Sequence, residues 1–296
     1  MNVLPAACTV ATSPINISMS SIDGPCILKC DYNYKYGTYT PNIANKGSYL
    51  ALNYSGKSNP VKYNDEMYNV KQIRIYQPSL HTYQTKRADG EILIIHNGAG
   101  KNLIVSVPFT SGGKTDKGSV QLNSLITEAA LRVPNINESV TTSSGNFSLD
   151  NFIPDKKGYF SYTGTLPYTP CNGTYSYIVY NIEDALNIEA SLLIKLKQVI
   201  TATATPVKTN AFFYNKNGAN SRGSDDNIYI DCQPVDEAGN ILVQEGPSGT
   251  NTNTGTMGPN VTMEQIAPFL YVILGIVVAS GIVYGGKYLF KKMRKE

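Results

Sequence analysis

Tryptophan is missing from this 296-residue chain, histidine occurs twice, and only 16% of the residues are charged. With His81 and His96 as the whole complement, a three-histidine metal site cannot form within one chain. The net charge of +3 is concentrated at one end. Lys287, Lys291, Lys292, Arg294 and Lys295 stand against Glu296, a local balance of +4, so the remainder carries 3 − 4 = −1. A nearly neutral body does not present the generally basic surface that nucleic-acid binding needs. The segment SGGKT at 111–115 fails as a phosphate loop because Pro108 stands where the first glycine is required. No nucleophile–base pair is visible, which sets aside covalent catalysis. The N-terminus, MNVLPAACTVATSPIN, lacks a basic n-region, and its short apolar run is broken by Pro5 and Thr9, so it does not read as a signal peptide. There is no internal repeat.

Tyrosine, asparagine, serine and threonine are abundant, which favours β structure with polar loops. SYLALNY, NVKQIRIYQ, EILIIHN, NLIVSVPF and TYSYIVYNI read as strands, and NIYIDC from Asn227 as a closing one. VQLNSLITEAALRV places Leu122, Leu125, Ile126, Ala129 and Ala130 at helical spacing, and ASLLIKLKQVI is a short second helix. In QIRIY, alternation puts Ile73 and Ile75 on one face and Arg74 and Tyr76 on the other. EGPSGTNTNTGTMGPNVTM, Glu245 to Met263, has the composition of a flexible tether. From Ile266 to Gly286 the chain carries no charge, and at ~1.5 Å per residue it spans roughly 30 Å, a hydrocarbon core's thickness. Within it Gly275 and Ala279, and Gly281 and Gly285, form small-xxx-small pairs. The expected layout is a folded domain over 1–243, a linker over 244–265, a transmembrane helix over 266–286 and a basic tail over 287–296.

Orientation is contested by the sequence. A span so near the end, without a signal peptide, inserts after synthesis and leaves the domain cytosolic, whereas the positive-inside tendency puts the basic tail there. A particle whose outer face derives from the cytosolic side reconciles the two, with the tail pointing inward near nucleic acid.

Several segments line up with one family. SPINI (Ser13–Ile17), NKGS (Asn45–Ser48), QIRIY (Gln72–Tyr76), SLHTY (Ser79–Tyr83), ADGEILIIHN (Ala88–Asn97), the stretch Phe147–Val179 and NSR (Asn220–Arg222) resemble, in order and spacing, the motifs of α-carbonic anhydrases. The resemblance implies a mainly β (α+β) fold: a central, strongly twisted, mostly antiparallel ten-stranded sheet with peripheral helices, to which this chain adds one C-terminal transmembrane helix. In that family three histidines hold zinc and leave a position for a water of lowered pKa. The matching positions here are Arg74, Tyr76 and Leu93. Arginine is permanently protonated and leucine offers no lone pair. His81 and His96 fall on family histidines that do not ligate. Pro167 and Leu80 replace the threonine and glutamate that orient the zinc-bound hydroxide, and NKGS has no proton-shuttle histidine. The resemblance therefore implies a fold without carbonic anhydrase activity, metal or cofactor.

The resemblance places Glu91 where the family keeps a glutamate that supports its zinc ligands, on the face of Leu93. A buried Arg74 needs a partner, and an Arg74–Glu91 ion pair plugging the vacated cavity is expected. The other reading of Arg74 is a positive charge offered to an anionic ligand. Extracellular members join cysteines at the positions of Cys8 and Cys171, so the same disulfide is implied here, a free buried Cys171 being the cytosolic alternative. For Cys26 and Cys30 a local bridge and two free thiols fit equally, and Cys232 is left over. Six N-x-S/T sequons begin at Asn16, Asn53, Asn137, Asn146, Asn172 and Asn260, and without a signal peptide they are expected unmodified.

A carbonic-anhydrase-like domain without zinc ligands, tethered to a C-terminal anchor, is similar in arrangement to the poxvirus cell-surface-binding virion proteins. It implies a structural protein of a large DNA virus particle, a minor capsid or membrane protein linking the virion membrane to its overlying shell and contacting other virion proteins. The alternative is a virion attachment protein that binds a host glycan or receptor. Lys86, Arg87, Lys114 and Lys117 are the basic residues a sulfated glycan would meet.

Overall fold

The computed structural model describes residues 8–26, 30–143, 145–203 and 205–221. These lie within the first of two compact units, Met1–Tyr229. The strand at NIYIDC, Arg222 of the NSR motif, Cys232, Asn260, the linker, the span and the basic tail fall outside the described residues. Among the described residues no helix is long and apolar enough to cross a membrane.

Ten strands form the main path of one large sheet: β1 (Gly24–Pro25), β2 (Asn42–Asn45), β3 (Leu50–Leu52), β4 (Glu66–Tyr76), β5 (Gly90–Asn97), β6 (Asn102–Ser111), β7 (Ser139–Thr141), β8 (Tyr159–Gly164), β9 (Tyr175–Tyr180) and β10 (Phe213–Asn215). Their order is β7-β2-β3-β4-β5-β6-β9-β8-β10-β1. All neighbours are antiparallel except β6–β9 and β10–β1. Val61–Tyr63, Tyr32–Tyr34 and Leu186–Ile188 branch off that path and bring the sheet to 13 strands among the described residues. The expected ten-stranded path is thus present, with three short additions.

The central strands are apolar at nearly every position because both faces are covered. On one face Ile73, Ile75, Ile92, Ile94, Val105 and Phe109 join a core closed by two helices, α1 (Lys117–Arg132) and α2 (Ala190–Val199). In α1, Leu122, Leu125, Ile126 and Ala129 are buried as their spacing predicts, and the Asp116 side chain caps the helix by accepting from the Ser119 N–H at 2.9 Å. Buried Asn45 of the NKGS segment donates to the carbonyls of Val133, 3.3 Å, and Val199, 2.9 Å, so one amide ties the ends of both helices to β2. The other face holds a second core of Ile15, Ile17, Tyr76, Leu80, Leu93, Ile95, Phe160, Tyr162 and Tyr177, covered by the N-terminal SPINI segment. Asn16–Ile17 pairs in parallel with Thr82–Tyr83 there.

Among the described residues two disulfides are formed. Cys8 and Cys171 join across 163 residues with Cα atoms 5.0 Å apart, as the resemblance implied. Cys26 and Cys30 join locally with Cα atoms 5.8 Å apart.

Candidate functional site

Register brings the three replaced positions together. Arg74 of β4 lies opposite Leu93 of β5, and Tyr76 opposite Glu91, so all four side chains share the face of the second core. Leu93 is fully buried and Tyr76 is 2% exposed. Arg74 is half-buried. Its guanidinium is clamped between two rings, with Cζ 3.7 Å from the Tyr168 centroid and 4.3 Å from the Tyr49 centroid. Such contacts are worth about 0.5–2 kcal/mol each, more where water is excluded. At its edge Nε donates to Gln72 Oε1 at 2.8 Å and Nη1 to the Tyr76 hydroxyl at 3.1 Å. Tyr168 sits on the turn ending at Cys171, whose N–H donates to the Tyr168 carbonyl at 2.7 Å, so the Cys8–Cys171 bridge anchors the residue that covers Arg74. Burial raises the Tyr168 hydroxyl to about 12, against the opposing pull of Arg74.

The expected Arg74–Glu91 pair is not formed. Glu91 is fully buried, and its carboxylate is already saturated. Oε2 accepts the N–H groups of Leu80, 2.6 Å, and His81, 3.0 Å, while Oε1 accepts from His81 Nδ1 at 2.5 Å and from the Ser106 hydroxyl. Burial alone would push the Glu91 carboxyl up, but the attraction of His81 and these hydrogen bonds outweigh it and hold it below the usual carboxylate range. Sequence spacing placed Glu91 on the correct face. It could not show that the loop after Gln77 folds back and delivers two backbone donors and an imidazole to the same carboxylate. The chain continues inward from His81, whose Nε2 is 2.7 Å from the Tyr162 hydroxyl, and Tyr162 stacks on Tyr177 at 4.3 Å. Arg87 closes the outside of this loop by donating to the carbonyls of Ser79, 2.5 Å, and Leu80, 2.7 Å.

His96 lies across the sheet. Its Nε2 is 2.9 Å from the Tyr36 hydroxyl and its Nδ1 3.3 Å from the Leu103 carbonyl, in the helix-side core. Burial drives its pKa from 6.5 to about 3, so it is a neutral structural imidazole. The two histidines therefore serve opposite faces and cannot share a ligand. Pro167 and Leu80 are buried apolar residues. Of the basic residues considered for a sulfated glycan, Arg87 is occupied with loop carbonyls, and Lys114 donates to the Ala185 carbonyl at 3.3 Å.

The donor set does not fit zinc. At the three positions the geometry offers a guanidinium, a hydroxyl engaged by that guanidinium and a methyl-capped side chain. Among the described residues no group of three or more His, Cys, Asp or Glu is placed to hold a metal ion.

The large twisted sheet and its two covering helices define a carbonic-anhydrase-type domain, in which Arg74, Tyr76 and Leu93 stand where the resemblance aligns zinc ligands. The model of eukaryotic-type carbonic anhydrases matches residues 3–213, and the chain belongs to this family. Dioscorin DB3L of Dioscorea polystachya is 22% identical over 218 residues, 70% of this chain and 77% of that protein. Alpha carbonic anhydrase 7 of Arabidopsis thaliana is 22% identical over 179 residues, 60% of this chain and 63% of that protein. Among solved structures, dioscorin complexed with ascorbate superposes with a TM-score of 0.59 at 20% identity, covering 71% of this chain and 87% of that one. The Photobacterium profundum alpha-carbonic anhydrase gives 0.58 at 18% identity, over 70% and 90%. At these identities the structural likeness establishes the fold.

Proposed function

We propose that this is a non-catalytic, membrane-anchored structural protein of a large DNA virus particle, in which the carbonic-anhydrase-like domain contacts an overlying protein shell. The observation that carries the non-catalytic part is the occupation of the three ligand positions by Arg74, Tyr76 and Leu93, with the arginine locked between Tyr49 and Tyr168. A cation held there opposes zinc, and nothing at those positions supplies a metal-activated water. The anchoring part rests on the uncharged run 266–286 and the basic tail after it. In this reading the 244–265 linker gives the domain slack, and the tail lies on the inner side near nucleic acid.

Two measurements test the proposal. Purified protein loaded with excess zinc is expected to retain no stoichiometric metal after desalting and to leave CO2 hydration at the uncatalysed rate. Cross-linking mass spectrometry on intact native particles is expected to join the domain to shell and membrane proteins at several sites. A domain with no protein neighbours, open to protease added from outside, would overturn the tether and favour an attachment head that binds a host glycan or receptor.

A further inference from the structure

Arg74 is left with charge and donors to spare. Among the described residues no carboxylate lies within ion-pair distance of it, since Glu91 is consumed by His81, Ser106 and two backbone N–H groups. A guanidinium has five N–H donors. Gln72 and Tyr76 take one each, from Nε and Nη1. The second hydrogen of Nη1 and both hydrogens of Nη2 have no partner among the hydrogen bonds of the described residues. The guanidinium carbon lies over the Tyr49 and Tyr168 rings, and its open donors lie in the guanidinium plane. The rings also fix that plane, which removes much of the rotamer freedom a ligand would otherwise have to freeze out.

We propose that the Arg74 fork, framed by Tyr49, Tyr76 and Tyr168, is a binding site for an oxyanion group, a carboxylate or a sulfate. Two parallel N–H donors in a rigid plane match the two oxygens of such a group. An unpaired, half-buried cation is costly to keep unless something offsets it, and an anion drawn from solvent does so. The donors here are fixed and the charge is permanent, but no metal or base stands beside them, so the site binds without reacting. Its aromatic frame leaves the donor edge of the guanidinium as the approach for the oxyanion. The proposal is independent of whether the domain touches a shell or a host surface.

The oxyanion can come from a small free solute or from a sugar bearing a uronate or sulfate. Calorimetric titration of the full chain in detergent, at constant ionic strength, with sodium sulfate, sodium glucuronate and a sulfated, uronate-containing oligosaccharide separates these sources. Saturable 1:1 binding is expected, weakened at least about tenfold in Arg74→Gln. Arg74→Lys, which keeps the charge and loses the planar fork, is expected between the two. Lys195→Ala, an exposed position on α2 outside the site, is expected to bind as the wild type does. An oligosaccharide that binds no tighter than glucuronate identifies a free-anion site, and one that binds much tighter identifies a sugar-borne group. The proposal is overturned if the wild type binds none of the three saturably, or if Arg74→Gln binds them equally well. Should Arg74→Gln fail to fold, Arg74→Lys carries the comparison, and equal affinity for that variant overturns the fork.

Discussion

Replacing Glu91 by alanine should be among the most damaging single changes in the domain. The carboxylate is fully buried and is the sole acceptor shown for the Leu80 N–H, the His81 N–H and the Ser106 hydroxyl, and the partner of His81 Nδ1. Each buried donor left unmatched costs about 1–3 kcal/mol, and breaking a buried pair costs about 3–5 kcal/mol. Allowing for partial relaxation, Glu91→Ala should lose about 3–5 kcal/mol. A domain of this size shifts by about 2–4 °C per kcal/mol, so Tm should fall by roughly 6–20 °C. Glu91→Gln should lie between alanine and wild type. Its oxygen can keep the two backbone donors while its amide donates to Ser106 and to a His81 whose proton has moved to Nε2, facing Tyr162. Urea melts of the three proteins, with Tm by calorimetry, provide the measurement. Arg74→Met combined with Glu91→Gln should be additive within about 0.5 kcal/mol, because the two residues share no hydrogen bond. A change below about 1 kcal/mol for Glu91→Ala, or strong coupling between positions 74 and 91, would refute the assignment of Glu91 to His81 and its loop.

Acid sensitivity should separate into two windows. His96 titrates at about 3 when folded against 6.5 for the free side chain, so only the unfolded chain takes up its proton as pH falls. Stability should therefore decline below about pH 6.5 at up to ~1.4 kcal/mol per pH unit, and His96→Gln should flatten that slope between pH 6.5 and 4.5 in denaturant melts. Glu91 acts lower down. Its folded pKa is depressed below 4.5, so its contribution is present above that value and is lost as pH falls through the folded pKa, a loss missing from Glu91→Gln. Gly90→Ala should destabilise by about 1–3 kcal/mol or more in a thermal melt, since its Cβ would meet the Phe109 ring at 2.0 Å and the Tyr76 carbonyl at 2.5 Å. A melt unchanged from wild type would show that Phe109 can move aside.

The legible and illegible parts of this protein divide by the range of the interaction. Alternation along QIRIY and EILIIHN marks which side chains share a face, and β4 and β5 pair in that register from Glu91 to Ile95, where the register shifts. The spacing of Leu122, Leu125, Ile126 and Ala129 marked the buried stripe of α1 for the same local reason. The resemblance carried the Cys8–Cys171 bridge, which no local rule could pair across 163 residues. What the sequence hid was competition for partners. Arg74 and Glu91 were each matched to the other because charge and face agreed, yet each found better company from elsewhere in the chain. Glu91 took a loop imidazole and backbone amides, and Arg74 took Tyr49 and Tyr168.

That competition also bears on how the domain fills, without a metal, the three positions that the family resemblance aligns with zinc ligands. A zinc centre ties adjacent strands together, and its removal leaves polar side chains without a ligand. Here the apolar Leu93 fills one position outright, and Arg74 bonds to Gln72 and Tyr76 and lies against Tyr49 and Tyr168, with its remaining donors left open. Glu91, His81, Ser106 and Tyr162 form a buried hydrogen-bonded set that shares no hydrogen bond with Arg74. Stability and recognition are thus carried by different residues: mutations at Glu91 should act on the fold, and mutations at Arg74 on what the domain can bind.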